Sequence, residues 1–221
     1  MKILNGILAA CALGLSVLAV PATAADTPKI RAAMLASGTV NWEVTTIKEN
    51  GLDRKHGFDL QVTTYADNAA TRIAFEGGAA DTMVADWIWV AYQRADGKDY
   101  TFFPYSRAVG ALVVKNDSPA KALPDLKGKS IGIAGGPLDK SWLILRAYAQ
   151  KEYQMDLAKE TEQVFGAPPL IFKSALSGET AGAINFWHFL AKMKAKGMRD
   201  LVTVSDAAAS LGLDTDTPLL G

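Results

Sequence analysis

Apolar positions in the first half of the chain form short runs that are separated by segments of helical periodicity. The short runs predict strands at Lys29–Leu35, Asp59–Tyr65 and 82–85, and the segments between them predict helices at 41–56 and 68–77. Strands that are joined by helices of this length require crossover connections. The pattern therefore favours a mainly parallel α/β sheet with helices on both faces.

The second half repeats this order of elements. Apolar runs predict strands at Ser130–Ala134, 183–185 and 200–204, with helices at 138–153 and 189–196. Each half on its own therefore fits a doubly wound α/β unit.

An internal repeat relates the two halves. Residues 29–42 begin with lysine, pass through a strand and a glycine-containing turn, and end with tryptophan, and residues 129–142 do the same. Residues 78–87 and 178–187 both run from glycine through small residues and a short apolar strand to tryptophan. Because the two pairs have the same offset, we expect two lobes of one architecture.

The boundaries follow from these elements. We expect a first lobe at 25–107, a second lobe at 108–205 and the start of a return crossover to the first lobe at 206–221. A β-rich segment at 100–115 predicts an extended crossover between the lobes.

The N-terminus has the pattern of a secretory signal peptide. Lys2 precedes an apolar run at 7–20, and the small residues Ala22 to Ala24 predict cleavage after Ala24, so that residues 1–24 are the leader. The run Leu8 to Cys11 also resembles a lipoprotein cleavage box, although most of the apolar run follows it. We expect an exported, periplasmic protein, and Cys11 is its only cysteine, so the mature chain has no disulfide.

Composition narrows the function classes. The 221 residues are 49% hydrophobic and carry a formal net charge of zero, so no net field favours nucleic acid or an anionic membrane. After the leader, no segment offers the ~20 apolar residues of a membrane helix. We expect a soluble monomer without a nucleic-acid partner.

Four of the five tryptophans come directly after predicted strands: Trp42, Trp87, Trp142 and Trp187. In open parallel sheets, ligands bind beyond the carboxyl ends of the strands. Each tryptophan alone could equally be a core residue, but four equivalent positions indicate an aromatic cleft between the lobes, where indole rings stack on a planar or apolar ligand or hold a cation.

Polar and glycine residues occur at the same strand ends. We expect the ligand-binding residues to include Ser37, Thr39, Asn41, Asp86, Gly136 and Asn185 in addition to the four tryptophans. The helix that follows the turn with Gly136 is expected to offer backbone N–H groups to the ligand beside Trp142. Asp86 could accept a hydrogen bond from an amine or a ring N–H, or it could cap the helix that starts at Trp87.

Further polar residues at or near these ends are candidates as well. Asp139, Lys140 and Ser141 also follow a strand, but Asp139 suits an ordinary first-turn acid. Arg107 could hold an anion or pair with a surface acid, and His188 could contact ligand or lie on a helix face.

The sequence contains motifs that resemble enzyme signatures, but they do not lie in the structural context that the chemistry requires. Residues 128–132 match G-x-S-x-G, but Ser130 begins a strand, whereas a nucleophile elbow places serine at a strand-to-helix turn. The two histidines have no metal-ligand spacing. We expect no metal, no cofactor and no catalytic residues.

Four segments carry a family resemblance: K-I-R at Lys29, E-G-G-A-A-D at 76–81, G-A-L-V-V-K at 110–115 and D-L-K-G-K-S-I-G-I at 125–133. With the leader, they resemble the periplasmic substrate-binding proteins of nitrate, sulfonate and taurine ABC importers, a group that includes binders of thiamine-pyrimidine precursors.

The resemblance implies a type II periplasmic binding fold, in which two doubly wound lobes close on a small solute and dock on a membrane permease. In that family the chain returns to complete the first lobe, whereas this sequence stops at Gly221. We therefore expect a chain that is truncated before lobe one is completed. The expected solute is organic, an aromatic heterocycle or an amine, with an oxyanion such as sulfonate or nitrate as the alternative.

Overall fold

The computed structural model describes residues 26–214, 220 and 221. The expected signal peptide lies outside these residues. The first part of the described chain contains these elements in order: β1 (Lys29–Leu35), α1 (Val40–Glu49), α2 (Leu52–Lys55), β2 (Asp59–Tyr65), α3 (Asn68–Glu76), β3 (Thr82–Met83) and α4 (Trp87–Ala95). The second part contains β4 (Ala111–Lys115), a 3-10 turn (Leu123–Leu126), β5 (Ser130–Ala134), α5 (Lys140–Tyr153), α6 (Leu157–Glu160), β6 (Glu162–Gly166), α7 (Pro168–Ser177), β7 (Gly182–Asn185), α8 (Trp187–Ala195), β8 (Met198–Thr203) and α9 (Val204–Ser210).

Lobe one is built on a parallel sheet of three strands in the order β2-β1-β3. The central strand β1 buries Ala32 to Leu35, as expected for a strand that is covered on both faces. The single helix predicted at 41–56 is two helices, α1 and α2, because Gly51 adopts the left-handed conformation (φ 58°) and ends the first of them.

Lobe two is built on a mixed sheet of five strands in the order β6-β5-β7-β4-β8. β5 pairs with β6 and β7 in parallel, but β4 runs antiparallel to both β7 and β8. The crossover from lobe one therefore ends as an interior strand of the second sheet. The prediction of a mainly parallel sheet is therefore correct for lobe one and for strands β6, β5 and β7 of this sheet, but not for β4.

The larger core lies in lobe two. Fully buried apolar side chains of β4, β5, α5 and β7 form it, and α9 packs against them through Ala207 and Ala208. The cores of lobe one are smaller and rest on Ala32, Met34 and Leu60, with half-buried residues around them.

The last described residues lie against lobe one. Leu220 pairs in antiparallel fashion with Asp86 and Ser106, and Gly221 exchanges backbone hydrogen bonds with Ala85 at 2.9 and 3.0 Å. In the crossover, Tyr100 stacks on Trp89 of α4 with the ring centroids 5.9 Å apart. The crossover and the end of the chain therefore join the edge of lobe one.

Candidate functional site

A cavity of about 300 Å³ lies between the lobes. Lobe one contributes the loop after β1, the start of α1, one face of α3 and the β3–α4 step. Lobe two contributes the first turn of α5 and the start of α8, and the crossover supplies Tyr105, Ser106 and residues 108–110. Apart from the crossover, these segments follow the carboxyl ends of β1, β2, β3, β5 and β7, so the cavity occupies the position where open α/β sheets bind ligands.

The loop after β1 is held by the side chain of Asn41. Its Nδ2 donates to the carbonyl oxygens of Leu35 and Gly38, both at 2.8 Å. Asn41 therefore shapes the loop that presents Gly38, Thr39 and Val40 to the cavity.

Asp86 connects three parts of the lobe-one wall. Its Oδ1 accepts from the backbone N–H of Trp89 at 2.8 Å and caps α4, and its Oδ2 lies 3.3 Å from the Arg72 guanidinium. Arg72 in turn lies over the Trp89 ring at 5.2 Å. The helix-cap interpretation of Asp86 is thus correct, and the carboxylate also lines the cavity as half of a buried ion pair.

The lobe-two wall begins with Asp139, which caps α5. Its Oδ1 accepts from the backbone N–H groups of Ser141 and Trp142 at 2.9 and 3.2 Å. Burial raises the pKa of the Asp139 carboxyl, and the nearby Lys140 charge opposes this shift. Because the carboxylate takes these two N–H groups, they are not open to a ligand, contrary to the expectation from the sequence.

Two contacts join the lobes at the rim of the cavity. The rings of Trp42 and Trp187 meet edge to face with centroids 6.1 Å apart, and 63% and 42% of these residues remain exposed. Beside them, Nε2 of His188 lies 3.0 Å from the carbonyl oxygen of Ser37. A carbonyl only accepts, so Nε2 carries the proton; burial lowers the pKa of His188, which favours this neutral ring.

The cavity brings together four of the ten predicted ligand-binding residues: Thr39, Trp42, Asp86 and Trp187. Asp139, Lys140, Ser141 and His188, the further candidates from the sequence, also line it. The other predicted residues lie behind the wall or outside it: Ser37, Asn41, Trp87, Gly136, Trp142 and Asn185.

Trp142 and Asn185 belong to the interior of lobe two. Trp142 is 2% exposed and packs in the main core, because the third position of α5 faces the sheet. Asn185 is 1% exposed; its Nδ2 donates to the carbonyl of Pro168 at 3.0 Å and its Oδ1 accepts from the N–H of Phe186 at 2.8 Å. The amide therefore orients the turn from β7 to α8.

The remaining three predicted residues also lie outside the cavity wall. Ser37 contributes its carbonyl to His188 rather than its side chain to the cavity. Trp87 is half-buried, and its Nε1 has no hydrogen-bond partner among the described residues. Gly136 belongs to the turn before α5, with open space on its Cβ side.

Several lining residues were not predicted, notably Arg72, Tyr105 and Phe186. Arg72 lies inside the predicted helix at 68–77, and only the packing of that helix on the sheet shows which face meets the cavity. Tyr105 belongs to the irregular crossover, where periodicity gives no direction.

Among the residues described, no group of three or more His, Cys, Asp or Glu side chains is placed to hold a metal ion. None of the helices in the described part of the chain is long and apolar enough to cross a membrane.

Several solved structures have a similar fold. The alkanesulfonate-binding protein SsuA from Xanthomonas axonopodis pv. citri bound to MOPS matches with a TM-score of 0.70 and 17% identity, over 90% of this chain and 66% of that one. The periplasmic aliphatic sulphonate binding protein SsuA from Escherichia coli matches with a TM-score of 0.60 and 17% identity, over 84% and 68%. The ligand-binding component of an ABC-type import system from Staphylococcus aureus with zinc bound matches with a TM-score of 0.63 and 11% identity, over 81% and 62%.

The fold is therefore that of the type II periplasmic binding proteins, as the sequence predicted. This chain spans about two thirds of the length of these structures. Residues 44–219 match the family model described as NMT1/THI5 like, and the chain belongs to that family. No curated protein matches the chain by sequence.

Proposed function

We propose that this protein is an exported solute receptor of an ABC importer, which binds a small organic molecule between its lobes and delivers it to a membrane permease. The observation that carries this proposal is the interlobe cavity, whose wall is shared by α1, α3, α5 and α8. A ligand that contacts all four helices stabilises the closed arrangement, which is the form that a permease can distinguish from the open one.

The lining favours an organic solute. Trp42, Tyr105, Phe186 and Trp187 present aromatic surface, and aliphatic residues of β1 and the crossover supply more. An aromatic heterocycle or an amine fits these rings and the carboxylates of Glu43 and Asp86.

A second ligand class has its own support. The buried Lys140 suits an oxyanion, and two of the matching structures are described as alkanesulfonate- or sulphonate-binding proteins. Both classes are compatible with a receptor that acts as a periplasmic monomer and does not change its ligand chemically. Asp86 and Asp139 each cap a helix and are engaged in that role, which favours binding over catalysis.

Native mass spectrometry of the exported protein tests the receptor proposal. We expect one small molecule to be retained, to shift the tryptophan fluorescence when it is added back to the refolded apo protein, and to be recovered unchanged. Recovery of a modified product would instead identify an enzyme.

A cavity-blocking variant is the control. Ala85 is buried and lines the cavity, so Ala85→Trp should abolish retention. A change at an exposed position, such as Ala195→Trp at the end of α8, should not. Retention by both variants would place the bound molecule elsewhere and contradict the proposed site.

A further inference from the structure

A histidine makes one of the contacts between the lobes. His188 is the second residue of α8 in lobe two, and its Nε2 donates to the carbonyl oxygen of Ser37, in the loop after β1 of lobe one, at 3.0 Å. This hydrogen bond exists only while the lobes meet. Because the ordinary pKa of histidine is about 6.5, the contact contains a group that changes its charge in mild acid.

The second nitrogen of the ring is buried without a partner. Nδ1 of His188 has no hydrogen-bond partner among the described residues. In the neutral ring Nδ1 is an acceptor, whereas in the imidazolium both nitrogens carry protons and Nδ1 becomes a donor. A buried donor without an acceptor is unfavourable, and more so when the group is charged. The closed arrangement therefore accommodates the neutral ring and disfavours the protonated one.

The surroundings of the ring add to this preference. The rings of Phe186, Trp187 and Phe189 lie 6.2, 5.8 and 4.7 Å from that of His188, and Lys192 Nζ lies over the Phe189 ring at 5.2 Å. Burial is the largest cause of the lowered pKa of His188, and the Lys192 charge lowers it further, whereas the Ser37 carbonyl opposes the shift.

Charged groups on the neighbouring elements do not offer Nδ1 an acceptor. The segment 37–42, which contains the Ser37 carbonyl, has no charged side chain. The elements packed against α8 contribute four: Lys173 of α7, Lys115 of β4, and Arg199 and Asp200 of β8. The ionisable groups that share the cavity with His188 are Glu43, Arg72, Asp86, Tyr105, Asp139 and Lys140. Among the described residues, none of their carboxylates lies within hydrogen-bond distance of Nδ1.

We propose that His188 is an acid-sensitive switch between the lobes: the neutral ring holds the closed arrangement, and protonation of Nδ1 favours the open one. Opening removes lobe one from the ring and lets water accept from Nδ1. The opening does not depend on what the cavity binds, but its consequence, release of the solute in acid, rests on the proposed receptor function.

The direction of the pH dependence follows from linkage. The open form binds the proton more tightly than the closed form, because the pKa of His188 is lowered where the lobes bury it. The closed fraction is therefore highest above about pH 6.5 and falls as the pH drops below that value. Proton uptake selects the form that binds the proton better, as any ligand does.

The distance between the lobes tests the proposal without any solute. Fluorophores on Asp96→Cys in lobe one and Lys173→Cys in lobe two, both exposed positions, report this distance in the full chain. Between pH 7.5 and pH 5.5, the ratio of open to closed molecules should rise several-fold. The upper limit is about tenfold, the value for a proton that binds the open form alone with a pKa of about 6.5.

Three variants assign the response to His188. His188→Gln keeps an N–H donor for the Ser37 carbonyl but does not ionise, so it should be as closed at pH 5.5 as at pH 7.5. His188→Phe also removes the donor and should be more open, but equally so at both pH values. His56→Gln changes the only other histidine of the sequence, which is exposed, and should keep the wild-type response. Thermal melting at both pH values shows whether each variant is folded.

Two results would overturn the inference. One is an unchanged ratio of open to closed wild-type molecules between the two pH values. The other is an equal rise in His188→Gln, which would assign the response to another ionisable group of the cavity, such as the buried Asp139. Either result leaves the receptor function standing, because that function is judged by the molecule that the protein retains.

Discussion

Trp42 and Trp142 occupy equivalent places in the repeat but have opposite environments. Each is the third residue of a helix that follows a strand, yet Trp42 is 63% exposed at the cavity rim and Trp142 is 2% exposed in the core of lobe two. Around Trp142 lie the ring of Phe165 at 6.4 Å and the guanidinium of Arg146 at 5.9 Å. α1, by contrast, has no fully buried residue.

This difference predicts opposite effects of truncation. Trp142→Ala should lower the free energy of unfolding by about 3–5 kcal/mol, because it leaves a cavity in a core that cannot collapse fully. Trp42→Ala should stay within about 0.5 kcal/mol of the wild type, and it should weaken solute binding by about 1–3 kcal/mol. Urea unfolding and calorimetry separate the two effects; similar unfolding midpoints for both variants would contradict the assignment of Trp142 to the core.

The sequence could predict where the tryptophans occur along the chain but not which way each one faces. A residue just after a strand lies near the ligand edge of a parallel sheet, and that is correct for Trp42 and Trp187. The direction depends on how each helix rotates against its sheet, which is set by distant packing partners such as Phe165 of β6. Lys140 shows the same limit: it is buried and lines the cavity, whereas the sequence predicts only that it follows a strand.

Among the elements, the start of β4 requires glycine. A Cβ on Gly110 would lie 2.2 Å from the carbonyl oxygen of Asn185, where β4 meets β7. Gly110→Ala should therefore push β4 from its neighbour and destabilise lobe two by about 1–3 kcal/mol. Gly136→Ala is the matched control, because its Cβ would have no heavy atom within 4 Å. Equal melting temperatures of the two variants would show that the close approach is easily relieved.

A buried carboxylate ties α1 and α2 to β2. Asp53 is 1% exposed; its side chain accepts from Lys48 Nζ at 2.6 Å and from the backbone N–H of Leu60 at 3.1 Å. The hydrogen bond from Lys48 is the main reason that the pKa of Asp53 is lowered to about 2. The folded state thus favours the ionised form over the unfolded state, in which the pKa of aspartate is about 3.9.

The pH dependence follows from this shift. The stabilising contribution of Asp53 is complete above about pH 4 and is lost as the pH falls toward about 2, where the folded protein also takes up the proton. Asp53→Asn should therefore be less stable than the wild type at pH 6, and the difference should shrink between about pH 4 and pH 2. Urea unfolding at several pH values measures this difference in the free energy of unfolding. Asp96→Asn, a change at an exposed position, is the control. A constant difference across this range would contradict the assignment.

Elements with strong periodicity were predictable, whereas one edge strand and the helix that follows it were not. β1, β2 and β5 have the predicted bounds because each is a continuous apolar or alternating run. β6 and α7 were missed: β6 is an edge strand with mostly exposed or half-buried side chains, and α7 opens with Pro168. Edge strands bury little surface, so their sequences carry little hydrophobic signal.

For the whole molecule, the repeat and the order of elements were enough to predict two α/β lobes and a cleft between them, where the structure has a cavity. The sequence did not predict the antiparallel course of β4, because an apolar run specifies a buried strand but not its direction. Nor did it predict the contacts that join the lobes. His188 lies in α8 and Ser37 follows β1, 151 positions away along the chain, and only the closed arrangement brings them together.

These contacts predict how opening of the lobes is controlled. The hydrogen bond from His188 to Ser37 exists only while the two lobes meet, whereas the His188 ring also packs inside its own lobe, 4.7 Å from Phe189. His188→Phe keeps an aromatic ring there and removes the donor. One neutral hydrogen bond contributes about 1 kcal/mol, so the variant should shift the equilibrium toward the open form about fivefold.

Fluorophores on exposed positions of the two lobes, Asp96 and Lys173, report the distance between them. In His188→Phe without solute, we expect a larger open fraction and faster release of bound solute. The melting temperature should change little, since each lobe keeps its own core. His56→Phe, an exposed histidine in lobe one, should leave the distance distribution unchanged. If His188→Phe without solute opens no more than the wild type, the hydrogen bond does not control opening, and the Trp42–Trp187 contact is the other described contact at the rim that can hold the lobes together.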